Sequence, residues 1–234
     1  MTSTKLLATI IVAALTVACA GSSRDPNVYY SGFLGDYSKL VEGGKDQAER
    51  RYLRPHVDWA SYHKVLLDPV TLWRGDASRS HGVSAHDAQV MADYFYQIIY
   101  KDLQNEGLQM VSTPEPNTLR VQVAITKLEE SQVVMDVVSS VIPVARAVSG
   151  LDKLVTGKPA FVGQAAIEVK VTDAMSGELL GAGVDHRVGG KVLQASQFTS
   201  WGEVQEIMQL WAAHGSYNLC KLQERTNCVA PKSS

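Results

Sequence analysis

The stretch TLRVQVAITKLE, residues 118 to 129, alternates apolar and polar side chains along most of its length. Successive side chains of a β-strand point to opposite faces of a sheet, so this alternation predicts a half-buried strand. Its apolar face takes four residues at every second position: Leu119, Val121, Val123 and Ile125. The remaining elements can be placed around this strand.

Two further segments show strand patterns. Residues 163–190 read GQAAIEVKVTDAMSGELLGAGVDHRVGG and predict a hairpin that turns at DAMSG. Upstream, HKVLLDPVTLW, residues 63–73, is another apolar strand, in which Pro69 indicates an edge position, a bulge or a break. The short stretch LQMVS, residues 108–112, predicts one more strand.

Helical spacing occurs twice. Ser84 stands three residues before Asp87, a pattern typical of a helix start, and Gly107 is a plausible left-handed stop. Between them lies an apolar stripe of Val90, Met91, Tyr94, Phe95, Ile98, Ile99 and Leu103. Ser200 with Glu203 predicts the start of a second helix carrying Val204, Ile207, Met208 and Trp211. The order of elements predicts an α+β fold, a mainly antiparallel sheet with helices packed on one face.

An apolar segment separates the first strands from the hairpin. Residues 131–158 contain Pro143, and Asp136 and Arg146 interrupt every run that could otherwise reach the length of a membrane span. We expect a loop and a helix lying across the sheet. A hairpin that touches a membrane is the alternative.

The N-terminus has the pattern of an export signal. Lys5 is followed by thirteen residues without a charge, from Leu6 to Ala18, which span roughly 20 Å as a helix, short of a ~30 Å hydrocarbon core. The sequence LTVACAGSS, residues 15–23, is similar to the lipobox of bacterial lipoproteins. That resemblance implies a signal peptide at 1–18 and a lipidated Cys19 as the mature N-terminus. An ordinary signal with an incidental cysteine is the alternative.

The resemblance also implies an address. Ala20 follows the cysteine, whereas bacteria commonly retain lipoproteins at the inner membrane with an aspartate there. It therefore implies a lipid-anchored protein on the periplasmic face of the outer membrane. Two or three acyl chains hold a protein at a membrane effectively for good, so no basic patch is needed.

The rest of the chain divides into four parts. Residues 19–27 are small and polar, as in a flexible tether, and 28–62 form an N-terminal arm rich in aromatic residues. The α+β domain follows at 63–222, and 223–234 is a C-terminal tail. Candidate partner-binding residues of the arm are Tyr29, Tyr30, Phe33 and Tyr37. The commoner use of such aromatic side chains is packing onto their own domain.

Two cysteines remain after Cys19. Cys220 and Cys228 form an even pair, and the periplasm is oxidising, so they predict a disulfide with a chain turn between them. Two free thiols near a frayed end are the alternative.

No enzymatic constellation is present in the sequence. It lacks G-x-S-x-G, H-E-x-x-H, a glycine-rich phosphate loop and a Cys–His pair with the spacing of a nucleophile and its base. His81 and His86, with Asp76 or Asp87, are weak candidates for a metal site. We therefore predict no catalytic residue, no metal and no cofactor.

Other polar residues have ordinary explanations. Asp185, His186 and Arg187 are consecutive in a strand, so they cannot converge. His214 suggests a helix-end interaction, and Asp68 and Glu168 suggest polar strand positions. A net charge of −2 argues against nucleic acid as a partner.

Several phrases occur together and in order. SGFLGDYSKL, YHKVLLDPVTLW, PEPNTLRVQVAITKLE, SSVIPVARAVSG and AAIEVKVTDAMSGELLGAGVD resemble an uncharacterised family of bacterial lipoproteins, the domain of unknown function 3313, over roughly residues 30 to 215. The resemblance brings no activity, ligand or catalytic residue. With the anchor, it favours a non-catalytic envelope component that binds envelope proteins or peptidoglycan. The alternatives are an envelope hydrolase with an unrecognised site and a ring-forming, secretion-associated lipoprotein, which the element order resembles distantly.

Overall fold

The computed structural model describes residues 23–24, 28–73, 83–129, 163–189 and 201–231. These residues form nine strands, two α-helices and one 3-10 turn at Trp59–Ser61. The strands are β1 (Ser23–Arg24), β2 (Val41–Glu42), β3 (Arg50–Leu53), β4 (Lys64–Leu67), β5 (Thr71–Leu72), β6 (Gln109–Met110), β7 (Thr118–Glu129), β8 (Gln164–Asp173) and β9 (Leu179–Val188). The helices are α1 (Ala85–Asn105) and α2 (Gly202–Leu222).

All nine strands belong to one mixed sheet. Its order is β2-β3-β9-β8-β7-β4-β6, with β1 beside β9 and β5 beside β7. Among the described strands, five pairings are antiparallel and three are parallel. The α+β class is therefore confirmed. The prediction of a mainly antiparallel sheet omitted the parallel side, where β4 pairs with both β6 and β7. Parallel neighbours need a crossover, and α1 provides it between β4 and β6.

Strand β7 has the predicted apolar face. Leu119, Val121, Val123 and Ile125 are buried and belong to the main hydrophobic core. Across the antiparallel ladder they face Val171, Val169 and Ile167 of β8 in register. Both helices pack against this face, and their core residues include Phe95 and Leu103 of α1 and Ile207 and Trp211 of α2. One sheet face is thus covered by a helical layer.

The first edge strand breaks where its proline stands. Chain pairing with β7 stops after Leu67 and resumes at Thr71, so residues 68–70 separate β4 from β5. The chain stays beside β7 through the break, because the Asp68 N–H donates to the Val121 carbonyl at 2.9 Å. Pro69 therefore marks a break, one of the three outcomes that a proline in a strand indicates.

Helix α1 begins and ends where the sequence indicates. Ser84 is the N-cap, and its hydroxyl oxygen accepts a hydrogen bond from the Asp87 N–H at 3.0 Å. Gly107 has a φ of +80°, and its N–H donates to the Gln104 carbonyl. A left-handed residue that satisfies a terminal carbonyl is the expected role of a glycine after a helix.

Helix α2 begins differently from the prediction. Its N-cap is Trp201, which makes no side-chain cap hydrogen bond. Glu203 does not cap the helix, since its carboxylate accepts a hydrogen bond from the N–H of Gly163, the residue before β8. Both groups are buried, so the glutamate serves the interior of the fold instead of its own helix end. Ser200 lies outside the described residues.

Several predictions fall on segments that the structure does not describe. These are the signal peptide with Cys19, the segment 131–158, and His81 with Asp76. Across the described ranges, neither helix combines the length and apolar character needed to cross a bilayer.

We expect Ser84→Ala to lower the free energy of unfolding by about 1 kcal/mol, because it leaves the Asp87 N–H without its acceptor. The measurement is urea denaturation followed by circular dichroism. Ser84→Asn, which keeps a side-chain acceptor, is the matched control and should remain close to wild type. Equal loss in both variants would contradict the capping role.

Candidate binding site

The sheet face opposite the helices carries a buried carboxylate. Glu168 of β8 is fully buried, and three donors from the preceding segment reach it. The Ser31 N–H donates to Oε1 at 2.6 Å, while the Leu34 N–H and the Tyr37 hydroxyl donate to Oε2 at 3.2 and 2.7 Å. A buried carboxylate without such partners would carry a large desolvation cost, so these bonds fix residues 31–37 on the sheet.

Tyr37 is itself held on both sides. Its hydroxyl donates to Glu168 and accepts the Gly32 N–H at 2.7 Å. Desolvation, followed by the hydrogen bond to the Glu168 carboxylate, raises the pKa of Tyr37 to about 12. The hydroxyl therefore stays protonated at neutral pH and acts as a donor to Glu168.

The other predicted partner-binding aromatic residues lie nearby. Phe33 packs edge-on against Trp73 with ring centroids 5.3 Å apart, and Tyr29 lies 6.1 Å from the His186 ring. Tyr30 stacks on Tyr37 at 4.4 Å. Tyr29, Phe33 and Tyr37 are half-buried, and Tyr30 is 41% exposed. Of these four rings, Tyr30 thus offers the most surface to a partner.

The consecutive residues of β9 separate as expected from strand alternation. Asp185 and Arg187 face the helices and form an ion pair at 2.6 Å. His186 faces the other way and lies 3.1 Å from the Glu49 carboxylate. The three side chains do not form a common site.

A cavity lies between the sheet and the helices. Its volume is about 440 Å³, which falls within the ~300–1,000 Å³ typical of small-molecule sites. The walls are apolar and come from both layers, among them Phe95, Leu103, Val169, Val171, Trp211 and Leu219. Valines 169 and 171 are only half-buried, so helix α2 does not close over β8 at this point.

Three glycines leave this space open. Gly181 and Gly183 occupy helix-facing positions of β9, where they pair with Leu53 and Arg51 of β3. Gly215 of α2 also lines the cavity, and a Cβ added there would meet no atom within 4 Å. Where a side chain would normally join the two layers, these positions supply none. The cavity is thus a consequence of small residues in regular elements.

A loop closes one side of the cavity. Residues 43–49 connect β2 to β3, and Gln47 and Ala48 of this loop line the space. Two side chains of α2 hold the loop, because His214 Nδ1 and Asn218 Nδ2 lie 3.1 and 3.0 Å from the Asp46 carbonyl. His214 therefore contacts this loop and makes no helix-end interaction, since α2 continues to Leu222.

Strand β1 holds the same loop from the other side. The Arg24 guanidinium donates to the Gly44 carbonyl at 2.6 Å and also to the Gln47 carbonyl. Its Nε lies 3.9 Å from Asp185 Oδ1. The N-terminal strand is thus attached to the rim of the cavity.

The charged residues of the lining are unequal in number. Arg51, Arg187 and Lys221 are basic, and Asp185 is the one acidic lining residue. Asp185 is occupied, because it accepts hydrogen bonds from the Trp211 indole N–H at 2.6 Å, the Arg187 Nε at 2.6 Å and the Glu49 N–H at 2.8 Å. No carboxylate among the described residues lies within ion-pair distance of Arg51. The site therefore has apolar walls and an unpaired cation.

The remaining predicted site residues lie away from the cavity or outside it. The structure joins Cys220 of α2 to Cys228 by a disulfide, with a Cα–Cα distance of 5.6 Å. His86 is exposed on α1 and Asp87 is engaged by Ser84. Asp68 forms an ion pair with Arg120 at 2.8 Å. Cys19 lies outside the described residues.

The sequence held a signal for the cavity that the strand and helix patterns overlooked. LLGAGVD places two glycines two residues apart in a strand, and AAHGS places one inside a helix. Glycine in the interior of either element weakens it, and often marks a close approach or an open space. Which of these applies depends on the opposite layer, which a single segment does not specify.

We expect Glu168→Gln to lower the free energy of unfolding by about 2–4 kcal/mol, because it replaces charge-assisted hydrogen bonds and turns an amide N–H towards donors. Chemical denaturation measures this loss. Glu178→Gln is the matched control, since Glu178 is an exposed partner of Arg54 and should cost less than about 1 kcal/mol. Equal effects of the two substitutions would show that Glu168 does not hold residues 31–37.

Comparisons with known proteins now bear on identity. Two solved structures of PelC dodecamers from Paraburkholderia phytofirmans, one of them a variant, share 9% and 10% sequence identity with this chain at TM-scores of 0.39 and 0.40. Each covers 76% of this chain and 97% of the other. This degree of likeness supports no inference about function, and no curated protein matches the chain in sequence. The model of a family described as proteins of unknown function (DUF3313) matches residues 29–214, which confirms the resemblance seen in the sequence. The chain belongs to the DUF3313 family.

Proposed function

We propose that this protein is a non-catalytic binding component of the bacterial envelope, held by acyl chains on Cys19 at the periplasmic face of the outer membrane. The apolar cavity between the sheet and α2 is its binding site. The observation that supports this proposal most strongly is the chemistry of the cavity walls, which are apolar around a single acidic residue that is already hydrogen-bonded.

An enzyme would need a different arrangement. Catalytic acids, bases and nucleophiles lie within hydrogen-bond reach of one another and leave a place for the reacting atom. In the cavity, Asp185 is 2% exposed and accepts three bonds that hold the fold together. Glu168 and His186 face the opposite side of the sheet. These groups act as structural anchors, which favours a binding role over hydrolysis.

The proposed anchor suits the position of β1. Ser23 lies four residues after Cys19, and four extended residues span at most about 14 Å. Arg24 is attached to the rim of the cavity. A lipidated Cys19 would therefore hold the rim beside the membrane, where a component of the envelope can enter it.

The anchor is tested by metabolic labelling with a clickable palmitate analogue. We expect label on the wild-type protein and none on Cys19→Ala, because the thiol is the proposed acceptor of the lipid. Cys228→Ala is the control for loss of a cysteine and should keep the label. Label that persists on Cys19→Ala would contradict the anchor.

The binding site is tested by photo-crosslinking in intact cells. A photo-reactive phenylalanine at Lys221, an exposed lining residue, should crosslink to an outer-membrane component, and the added substitution Gly215→Leu should abolish the adduct by filling the cavity. The same photo-reactive residue at Gln104, exposed on α1, is the control. Identical adducts from both positions, unaffected by Gly215→Leu, would contradict the proposal.

A further inference from the structure

We propose that the cavity binds a single acyl chain that carries an anionic head group, as in a fatty acid or a lysophospholipid. This inference rests on the proposed function and names the ligand class of the same site. It follows from the shape of the cavity, the charge at its lining and its distance from the proposed lipid anchor.

The shape of the cavity favours one narrow apolar group. A space of about 440 Å³ lies in the lower part of the ~300–1,000 Å³ range of ligand sites. Its interior surfaces are side chains of Phe95, Leu103, Val171 and Leu222 with three glycines between them. An acyl chain fills such a space without leaving a polar atom unsatisfied, and each buried methylene contributes ~0.8 kcal/mol in transfer terms.

The charge of the lining favours an anion. Its three basic residues, Arg51, Arg187 and Lys221, outnumber its one carboxylate. Asp185 is neutralised locally by Arg187, which leaves Arg51 and Lys221 without a counter-charge in the lining. Arg51 sits directly opposite Gly183, so no side chain of β9 separates its position from the cavity. A guanidinium binds carboxylate and phosphate groups through paired hydrogen bonds.

The position of the cavity supplies the source of the ligand. Arg24 contacts Asp185 and the loop that closes the cavity, and Ser23 beside it is at most about 14 Å from Cys19 along the chain. A protein anchored at Cys19 would hold this rim at the lipid head groups. An amphiphile could then pass from the bilayer to the cavity without crossing the aqueous periplasm.

The experiment uses the full-length protein extracted from membranes of the producing bacterium in an uncharged detergent. Native mass spectrometry should show one non-covalently bound anionic amphiphile. The delipidated protein is then titrated, at one detergent concentration, with palmitate, lysophosphatidylglycerol and lysophosphatidylcholine. Tryptophan fluorescence follows binding, because Trp59 and Trp211 line the cavity.

We expect an anionic probe to bind at least tenfold more tightly than zwitterionic lysophosphatidylcholine. Comparison of palmitate with lysophosphatidylglycerol shows whether a carboxylate or a phosphate is the preferred head. Gly215→Leu should weaken every probe at least tenfold, whereas Gln104→Leu, which adds the same side chain on exposed α1, should change none of them.

A second pair of variants tests the charge without filling the cavity. Arg51→Gln should lower the affinity for the anionic probes about tenfold, the usual weight of a charge-assisted hydrogen bond, and leave lysophosphatidylcholine unchanged. Arg54→Gln removes the same charge from a residue paired with Glu178 outside the lining and should have no effect.

Three outcomes would overturn the inference. They are the absence of saturable binding by the wild type, equal affinity for anionic and zwitterionic probes, and unchanged selectivity in Arg51→Gln. A crosslinked polypeptide at Lys221 that Gly215→Leu abolishes, without amphiphile binding, would overturn the inference and leave the proposed function standing. Persistent labelling of Cys19→Ala would instead overturn the proposed anchoring.

Discussion

Strand alternation across β7, β8 and β9 is the constraint on which the rest of this structure depends. It sends Val121, Val169 and their neighbours to one face and Glu168 to the other. The apolar face then requires a helical layer, and the buried carboxylate requires donors. Helices α1 and α2 supply the first, and residues 31–37 supply the second. Each side of the sheet is thus covered for a different physical reason.

The elements that local patterns specify are those predicted most accurately. Strand β7, the β8–β9 hairpin and helix α1 each carry a complete period, a cap or a turn within a few residues of sequence. The parallel pairing of β4 with β6 was missed, since strand direction depends on the crossover and leaves no trace in either strand. The start of α2 was also wrong, because the bond of Glu203 to Gly163 is a long-range contact that competes with capping.

The candidate site follows the same division. Its apolar walls come from helix and strand faces that the sequence identifies, including Phe95, Leu103 and Val171. The opening itself depends on Gly181 and Gly183 of β9 lying opposite Gly215 of α2, three positions in two distant segments. The pairing of Arg51 with Gly183, which sets a cation beside the opening, likewise depends on sheet register. Such coincidences between layers become visible only when the layers are placed together.

The attachment of the N-terminal segment has a consequence for folding. Ser31 and Glu49 donate to acceptors 137 and 136 residues further along the chain. In a chain that is exported with its N-terminus leading, the first residues to emerge therefore wait for the hairpin of β8 and β9 before they can order. Contacts of such long sequence separation slow folding. Until the hairpin arrives, Tyr30, Phe33 and their neighbours are accessible to periplasmic chaperones and proteases.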